Sequence, residues 1–321
     1  MNVFERLKIK LPIIEGGMTL VGDGHLAATV SNSGALGVIG TGKFNYIEAK
    51  KQVEIALKET KKPFGLNIML ENKNVIDLLQ LVKNYRIPFV TLGGGDPTEY
   101  IGKLKELGTI VYPVVPSVAA AKRMERLGAD GIIAEGMESG GHIGSITTMA
   151  LVPQVVKNIN IPVIAAGGIA TGAAILGSFA LGAVGVQIGT AFAITKESPA
   201  SKNYKNLVLK ARDIDTVITG ATVGEPVRGI KNQYTRNFKK AEEEWQKKAD
   251  NSSVRDVTIL AKGSLYNAIV NGDVQNGSAM AGQISGLLDK SESVKSLLNR
   301  LINEFNEAKL KVNFDLEGMA K

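Results

Sequence analysis

The sequence of 321 residues contains no cysteine, and it has only two histidines and one tryptophan. Without cysteine the chain has no disulfide framework, no thiolate nucleophile and no cysteine-ligated metal. Two histidines without an H-E-x-x-H spacing argue against a catalytic transition metal, so we predict no metal site. The absence of cysteine also suits a cytoplasmic protein, which is the location that we expect.

Long apolar runs are missing as well. No run of about eighteen apolar residues is present to span a membrane, and the first residues lack an apolar core of signal-peptide length. Hydrophobic residues make up 44% of the sequence, a content typical of globular proteins. We therefore expect a globular protein with no membrane association.

The net charge is +7, and part of the positive excess lies in one stretch. Its basic residues are Arg228, Lys231, Arg236, Lys239, Lys240, Lys247 and Lys248. A solvated helix face is one interpretation, because Glu242, Glu243 and Glu244 lie in the same stretch. A docking surface for an acidic partner is the other. Aromatic residues do not alternate with these basic residues, so we expect no nucleic-acid partner.

Short apolar runs alternate with amphipathic segments from about residue 11 to residue 210. The runs are rich in valine and isoleucine and do not alternate with polar residues, which is typical of parallel strands buried on both faces. They are Leu11–Ile14, Leu36–Ile39, Phe64–Leu70, Phe89–Leu92, Ile110–Val115, Gly131–Ala134, Pro162–Ala166 and Val184–Ile188. The predicted helices between them include residues 46–58, 75–84, 99–107, 119–127 and 173–181. Eight such units predict an α/β fold, a (β/α)8 TIM barrel, with a doubly wound open sheet as the alternative.

Glycine or a polar residue follows almost every predicted strand, and this pattern favours the barrel. Examples are Gly16-Gly17, Asn67, Glu135-Gly136, Gly167-Gly168 and Gly189-Thr190. In a barrel the carboxyl ends of all strands meet at one rim, where active sites are built.

From residue 211 the pattern changes, so we predict a barrel domain over 1–210 and a mainly helical extension over 211–321 that completes the barrel mouth and the substrate site. We expect a charged helix over 230–248, a polar turn over 251–255, a second turn over 272–277 and a helix over 293–310.

One of the two histidines, His142, stands among glycines directly after a predicted strand, in the sequence Glu135-Gly-Met-Glu-Ser-Gly-Gly-His-Ile-Gly144. Glycines allow close approach of the backbone to a flat ligand, and histidine transfers protons near neutral pH. His142 is therefore our candidate catalytic residue, although a glycine-rich turn with a helix-capping histidine is the alternative. The other histidine, His25, stands at the predicted start of the first helix, where we expect a structural role.

Two late strand ends have the composition of phosphate-binding loops. Ala166-Gly167-Gly168 ends the seventh predicted strand and precedes a helix, and Gln187-Ile188-Gly189-Thr190 ends the eighth. Backbone amides in glycine turns and at helix N-termini bind phosphate, and barrels often bind it after strands seven and eight. The first strand ends in Glu15-Gly16-Gly17-Met18, which lacks the glycine spacing of a dinucleotide fingerprint.

With these segments the chain resembles the nitronate monooxygenase-like superfamily of FMN-dependent barrels, and within it the enoyl-acyl-carrier-protein reductase II branch. The resemblance extends over nearly the whole chain. Its segments are 12–18, 63–70, 113–124, 134–144, 162–168, 210–216, 228–238 and 277–283.

The resemblance implies bound FMN, with Gly16, Gly17, Met18, Gly140 and Gly141 against the flavin ring. It places Asn67 and Glu135 at polar edges of the ligand and Met280 and Gln283 over the flavin. Gly167, Gly168, Gly189 and Thr190 would hold the phosphate, and Ala166 and Gln187, which precede these glycines, complete the candidate cofactor-binding set. Core packing remains an alternative role for the two methionines.

The resemblance further implies that NADH or NADPH is the co-substrate and that an enoyl thioester of acyl carrier protein receives the hydride, in fatty-acid elongation. His142 would then stabilise the developing enolate or relay the proton. Nitronate oxidation with His142 as base is the alternative activity, and a non-enzymatic barrel that binds a phosphate ligand is the alternative from another class. A homodimer is our expectation for the assembly.

Overall fold

The computed structural model describes residues 1–248 and 259–312. Its strands are β1 (Ile13–Glu15), β2 (Val38–Gly40), β3 (Gly65–Met69), β4 (Phe89–Gly93), β5 (Ile110–Val115), β6 (Ile132–Glu135), β7 (Gly141–His142), β8 (Val163–Ala166), β9 (Gly185–Ile188), β10 (Thr216–Thr219) and β11 (Val227–Ile230). Eight of them form one parallel sheet in the order β1-β9-β8-β6-β5-β4-β3-β2. The Glu15 amide donates to the Leu36 carbonyl and the Leu36 amide to the Ile13 carbonyl, each at 2.9 Å, and these bonds close the sheet between β1 and β2. The predicted (β/α)8 barrel is confirmed.

Helices between successive strands cover the outer face of the barrel, and further helices lie before β1 and in the extension. They are α1 (Val3–Leu7), α2 (Gly24–Asn32), α3 (Tyr46–Glu59), α4 (Val75–Tyr85), α5 (Thr98–Glu106), α6 (Val118–Arg126), α7 (Thr148–Asn158), α8 (Gly172–Ala180), α9 (Thr190–Ala193), α10 (Lys202–Leu209), α11 (Gln233–Lys248), α12 (Ser264–Ile269) and α13 (Val294–Lys311). Local sequence determines several of their starts: the Asn45 side chain accepts from the Glu48 amide, and the Glu48 side chain accepts from the Asn45 amide. Such a capping box satisfies two amides that the first turn leaves unpaired.

The interior of the barrel is filled by a compact apolar cluster that α1 closes from below. Phe89 and Tyr112 meet edge to face with ring centroids 5.5 Å apart. The Val3 amide donates to the Tyr112 hydroxyl at 3.2 Å, and Phe4 is buried in the same cluster. Because this end of the barrel is filled, a ligand has to bind at the opposite end, where the strands terminate.

The extension contains β structure that we did not predict from the sequence. The strands β10 and β11 form an antiparallel hairpin, and β7 from the barrel adds to it as a third strand. Gly220 and Gly224 adopt positive φ in the connecting turn, a conformation that glycine reaches without strain. The helix expected from residue 230 begins at Gln233 because Ile230 ends β11, and the Thr235 amide is capped by Asn232 Oδ1 at 2.9 Å.

The helix α13 returns to the barrel and packs against α8. Glu304 Oε2 accepts from the Gly172 amide at 2.8 Å, and Arg300 donates to both Glu304 and Glu292 at 2.8 Å. The sequence predicted this helix within one residue at each end.

The predicted polar turn over 251–255 lies outside the described residues. In the described part of the chain, no helix has the length and apolar composition needed to cross a membrane.

Candidate active site

A cavity of about 1180 Å³ lies at the carboxyl ends of the barrel strands. The residues that line it include the candidate catalytic residue and all but one of the candidate cofactor residues. They are His142, Gly16, Gly17, Met18, Asn67, Glu135, Gly140, Gly141, Ala166, Gly167, Gly168, Gln187, Gly189, Thr190 and Met280. The exception is Gln283, whose side chain is exposed and does not line the cavity. Strand ends that are far apart in sequence thus meet at one place, as expected for a barrel.

The backbone of His142 is held by the extension. In the ladder between β7 and β11, His142 pairs with Val227 and Gly141 pairs with Arg228. The Ile143 amide donates to the Pro226 carbonyl at 3.0 Å and continues the pairing. The imidazole itself is exposed to the cavity mouth. A histidine with a fixed backbone and an accessible ring can donate or accept a proton at a substrate atom.

Polar side chains form the floor of the cavity. Asn67 Nδ2 donates to Thr91 Oγ1 at 2.9 Å, which fixes the orientation of the Asn67 amide. Removal from bulk water raises the pKa of the half-buried Glu135 to about 7. Gln187 Oε1 and Ser139 Oγ are buried without a hydrogen-bond partner among the described residues. Buried polar atoms are seldom left unpaired, so these two fit the polar edge of a ligand.

Glycine serves two different purposes around the cavity. A Cβ on Gly17 would lie 2.2 Å from the Asn67 Cβ, and one on Gly140 would lie 2.7 Å from the Ala281 Cα. These two glycines are required by protein neighbours. A Cβ on Gly189, in contrast, would meet nothing closer than the Met18 sulfur at 3.7 Å. The wall at Gly189 is therefore open on the cavity side and offers bare backbone to a ligand.

The loop after β8 carries the features of an anion site. Gly167 and Gly168 have φ of 93° and 72°, and neither amide has a backbone acceptor within the described ranges. Successive free amides in such a turn bind phosphate oxygens. The following helix N-terminus does not contribute its first amide, because Glu304 accepts from Gly172. The sequence could not predict this, since Glu304 is far away in the chain.

The segment 278–283 of the extension covers the second phosphate-type loop. The Thr190 hydroxyl oxygen accepts from the Gly282 amide at 3.0 Å, and the Tyr204 hydroxyl donates to the Met280 carbonyl at 2.7 Å. Met280 is half-buried, with its sulfur 3.6 Å from a Cβ placed on Gly141. The Gln283 amide donates to the Glu138 carbonyl at 2.9 Å. This segment contributes Met280 to the cavity and leaves the Gln283 side chain outside it.

Two residues that hold the His142 loop in place were not predicted from the sequence. The Glu138 carboxylate accepts from the Thr148 amide at 2.9 Å and from the Thr148 hydroxyl at 3.0 Å, which joins the His142 loop to the start of α7. Arg228, counted among the surface charges, is 3% exposed and donates to the Met137 carbonyl. Because Glu138 is ten residues away from Thr148 in the chain, no local pattern indicated this contact.

The remaining charged candidates lie away from the cavity. His25 Nδ1 is 2.7 Å from Glu59 Oε2 on the outer face of the barrel, and His25 does not line the cavity. Of the basic stretch, Lys231, Arg236, Lys239, Lys240 and Lys247 are exposed. Within residues 1–248 and 259–312, no group of three or more acidic or histidine side chains is placed to hold a metal ion.

These features together fit a flat ligand that carries a phosphate. Open glycine backbone lines one wall, unpaired polar atoms lie at the floor, and free amides lie in the Gly167-Gly168 turn. FMN has this combination of a planar ring with polar edges and a terminal phosphate.

Comparison with known proteins finds one family and several similar structures. The nitronate monooxygenase family model matches residues 2–86 and 78–304. A probable nitronate monooxygenase of Staphylococcus saprophyticus is 32% identical, over 94% of this chain and 96% of the relative. The structure of FabK from Thermotoga maritima superimposes with a TM-score of 0.92 at 44% identity, covering 97% of each chain. The nitroalkane oxidase of Streptomyces ansochromogenes has a TM-score of 0.85 at 26% identity, over 97% of this chain and 100% of its own.

Proposed function

The chain belongs to the nitronate monooxygenase family of flavin-dependent oxidoreductases, and from this premise we propose that it binds FMN and reduces trans-2-enoyl thioesters of acyl carrier protein with NADH or NADPH. The observation that supports this proposal most is the cavity, which is lined by His142, by open glycine backbone and by a phosphate-type turn. The 44% identity to FabK, an enoyl-acyl-carrier-protein reductase II, favours reduction over oxidation.

In this proposal FMN, when bound, supplies the hydride chemistry. The turn at Gly167-Gly168 and the Thr190 loop would hold its phosphate, while Gln187 and Glu135 would contact polar edges of the ring. His142 donates a hydrogen bond to the thioester oxygen as negative charge develops there, or relays the proton to the α-carbon. Pairing with Val227 keeps the His142 backbone in place throughout.

The proposal extends to the biological setting. Acyl carrier protein is the partner, the reaction belongs to fatty-acid elongation in the cytoplasm, and the enzyme is a homodimer. The barrel over 1–210 carries the cofactor, and the extension over 211–321 completes the substrate site, as the contribution of Met280 and the β11 pairing support.

Anaerobic absorbance spectroscopy tests the proposed activity. NADH or NADPH should bleach the visible flavin band of the FMN-loaded protein, and a trans-2-enoyl thioester of acyl carrier protein should restore it. If neither nicotinamide bleaches the band while an alkyl nitronate does, the reductase proposal is wrong.

Nitronate oxidation is the second candidate function. It is favoured by the name of the Staphylococcus saprophyticus relative and by the similarity to the nitroalkane oxidase. His142 would then act as the base that removes a substrate proton. The same spectroscopic experiment separates the two activities by the source of electrons.

A further inference from the structure

The cavity continues beyond the wall at Gly189, which we call the glycine wall, into the extension. This part, which we call the side arm, is lined by Val223, Tyr234, Phe238, Leu265 and Ile269. They come from the 3-10 turn Ala221–Val223, from α11 and from α12. We propose that the side arm binds the apolar acyl chain of the substrate and that its walls determine the preferred chain length. This inference rests on the proposed function, because that function identifies the ligand as an acyl chain.

The chemistry of the side arm fits a hydrocarbon. The polar atoms at its wall are satisfied within the protein: Ser264 Oγ lies 3.3 Å from the Tyr234 hydroxyl oxygen and 2.8 Å from the Ala261 carbonyl oxygen. Among the described residues of the extension that line the cavity, one carries a charged side chain. This residue is Glu225, and it is exposed. A ligand in the side arm thus contacts apolar surface and no unpaired polar group from Ser264 or Tyr234. Apolar ligands gain affinity when they bury their surface against apolar walls.

The walls of the side arm are held in place before any ligand arrives. Phe238 packs against Tyr234 with ring centroids 5.7 Å apart, and Val223 packs on the same pair. The buried Glu242 carboxylate accepts from the Thr222 hydroxyl at 2.5 Å and from its amide at 3.3 Å. These bonds attach the turn that carries Val223 to α11. A preformed apolar wall discriminates chain length because it does not reshape itself around each ligand.

The size of the cavity supports a second occupant beside the cofactor. At about 1180 Å³ it exceeds the range of roughly 300–1,000 Å³ that is usual for small-molecule sites. A flat cofactor at the glycine wall would leave the side arm free for an acyl chain. A short nitronate would not need the space of the side arm.

Calorimetry with the FMN-loaded protein tests the proposal. The probes are saturated acyl thioesters of N-acetylcysteamine with four and eight carbons, which bind without being reduced. Each buried methylene improves affinity about fourfold, so the longer probe should bind on the order of 100-fold more tightly to the wild type. Val223→Phe and Leu265→Phe, which fill the side arm from two different elements, should each lower this affinity ratio at least tenfold.

The matched control is Lys239→Phe, which adds the same ring on the exposed face of α11 and should keep the wild-type ratio. Flavin absorbance reports whether each variant is folded, and either filling variant alone decides the question if the other does not fold. A wild-type ratio near one, or an unchanged ratio in a folded filling variant, would overturn the side-arm proposal.

The outcome is separable from that of the proposed function. If the binding ratios behave as expected but enoyl thioesters do not restore the flavin band, the reductase activity is wrong and the side arm remains. If the enzyme reduces enoyl thioesters while all variants bind both probes in the same ratio, the activity stands and the side arm is wrong.

Discussion

The guanidinium of Arg228 donates a hydrogen bond from Nε to the backbone carbonyl of Met137 at 3.0 Å. Its Nη1 donates to Thr216 Oγ1, also at 3.0 Å, and the backbone of Arg228 pairs with Gly141. One buried residue of the extension therefore contacts the beginning and the end of the loop that leads to His142. The extension and the loop that carries His142 form a single structural unit.

Replacing Arg228 by Met should loosen this loop. The Met137 carbonyl and the Thr216 hydroxyl would lose their partner, so we expect the free energy of unfolding to fall by about 1–3 kcal/mol. Urea denaturation measures this loss, and hydrogen exchange of residues 137–142 should accelerate. Arg212→Met is the control, because the exposed Arg212 pairs with Asp215 and exposed ion pairs contribute little to stability. Unchanged exchange in the loop would contradict the role assigned to Arg228.

Replacing His142 by Ala should separate cofactor binding from catalysis. The imidazole is exposed at the cavity mouth, so its loss leaves the protein interior intact. Removal of a comparable hydrogen-bond donor to a developing oxyanion costs about 10² to 10³ in rate. We expect the variant to retain FMN and to lose enoyl reduction by that factor, measured by stopped flow as reoxidation of the reduced flavin.

The control for that experiment is His25→Ala, because His25 pairs with Glu59 outside the cavity. It should reoxidise at the wild-type rate. An equal rate in the His142 variant would remove His142 from the proposed mechanism.

The barrel could be predicted because its determinants are local. Strands buried on both faces appear as continuous apolar runs, and their glycine-rich ends mark the turns. Barrel closure then brings those ends together by geometry, which is why Asn67, Glu135 and Gly189 line one cavity. No long-range information was needed for this part of the candidate site.

The extension depends on contacts that local sequence does not contain. Arg228 stands in a basic stretch and resembles a surface residue, yet it is buried because β11 pairs with β7. The exposed Gln283 does not line the cavity, although the nearby Met280 does. The residues Thr216–Thr219 and Val227–Ile230 did carry a hairpin signal, since β-branched residues flank a glycine-containing turn.

Replacing Gly189 by Ala should weaken FMN binding without harming the fold. The φ of Gly189 is −105°, which alanine adopts without strain, and the added Cβ would have its nearest protein contact at 3.7 Å. The methyl group would instead occupy space at the proposed ligand wall. We expect the FMN dissociation constant to rise at least tenfold, by fluorescence titration, with an unchanged melting temperature of the FMN-free protein.

A matched glycine is available in Gly177, which is exposed in α8 and has no neighbouring atom within 4 Å of the position that an added methyl group would take. Gly177→Ala should keep the FMN affinity and stabilise the helix by about 0.5–1 kcal/mol. Equal FMN affinity in both variants would argue against the ligand position assigned to Gly189.

The stability of the FMN-free protein should depend on pH through Glu135. Removal from bulk water raises the pKa of this carboxyl from 4.5 to about 7. Between these two values the folded protein retains a proton that the unfolded chain has lost. The free energy of unfolding therefore falls as pH rises through this window, and the loss is complete above about pH 7.

Glu135→Gln removes this dependence because the amide stays neutral. One pKa unit corresponds to about 1.4 kcal/mol, and residual solvent access of the half-buried carboxyl reduces the full effect. At about pH 8 we expect the variant to exceed the wild type by about 2 kcal/mol in urea denaturation, with near equality at about pH 4.5. Burial also raises the pKa of Glu15, but Glu15 is present in both proteins and cancels. Glu99→Gln, at an exposed position, serves as the control. If wild type and Glu135→Gln differ in stability by the same amount at both pH values, Glu135 does not hold the proton.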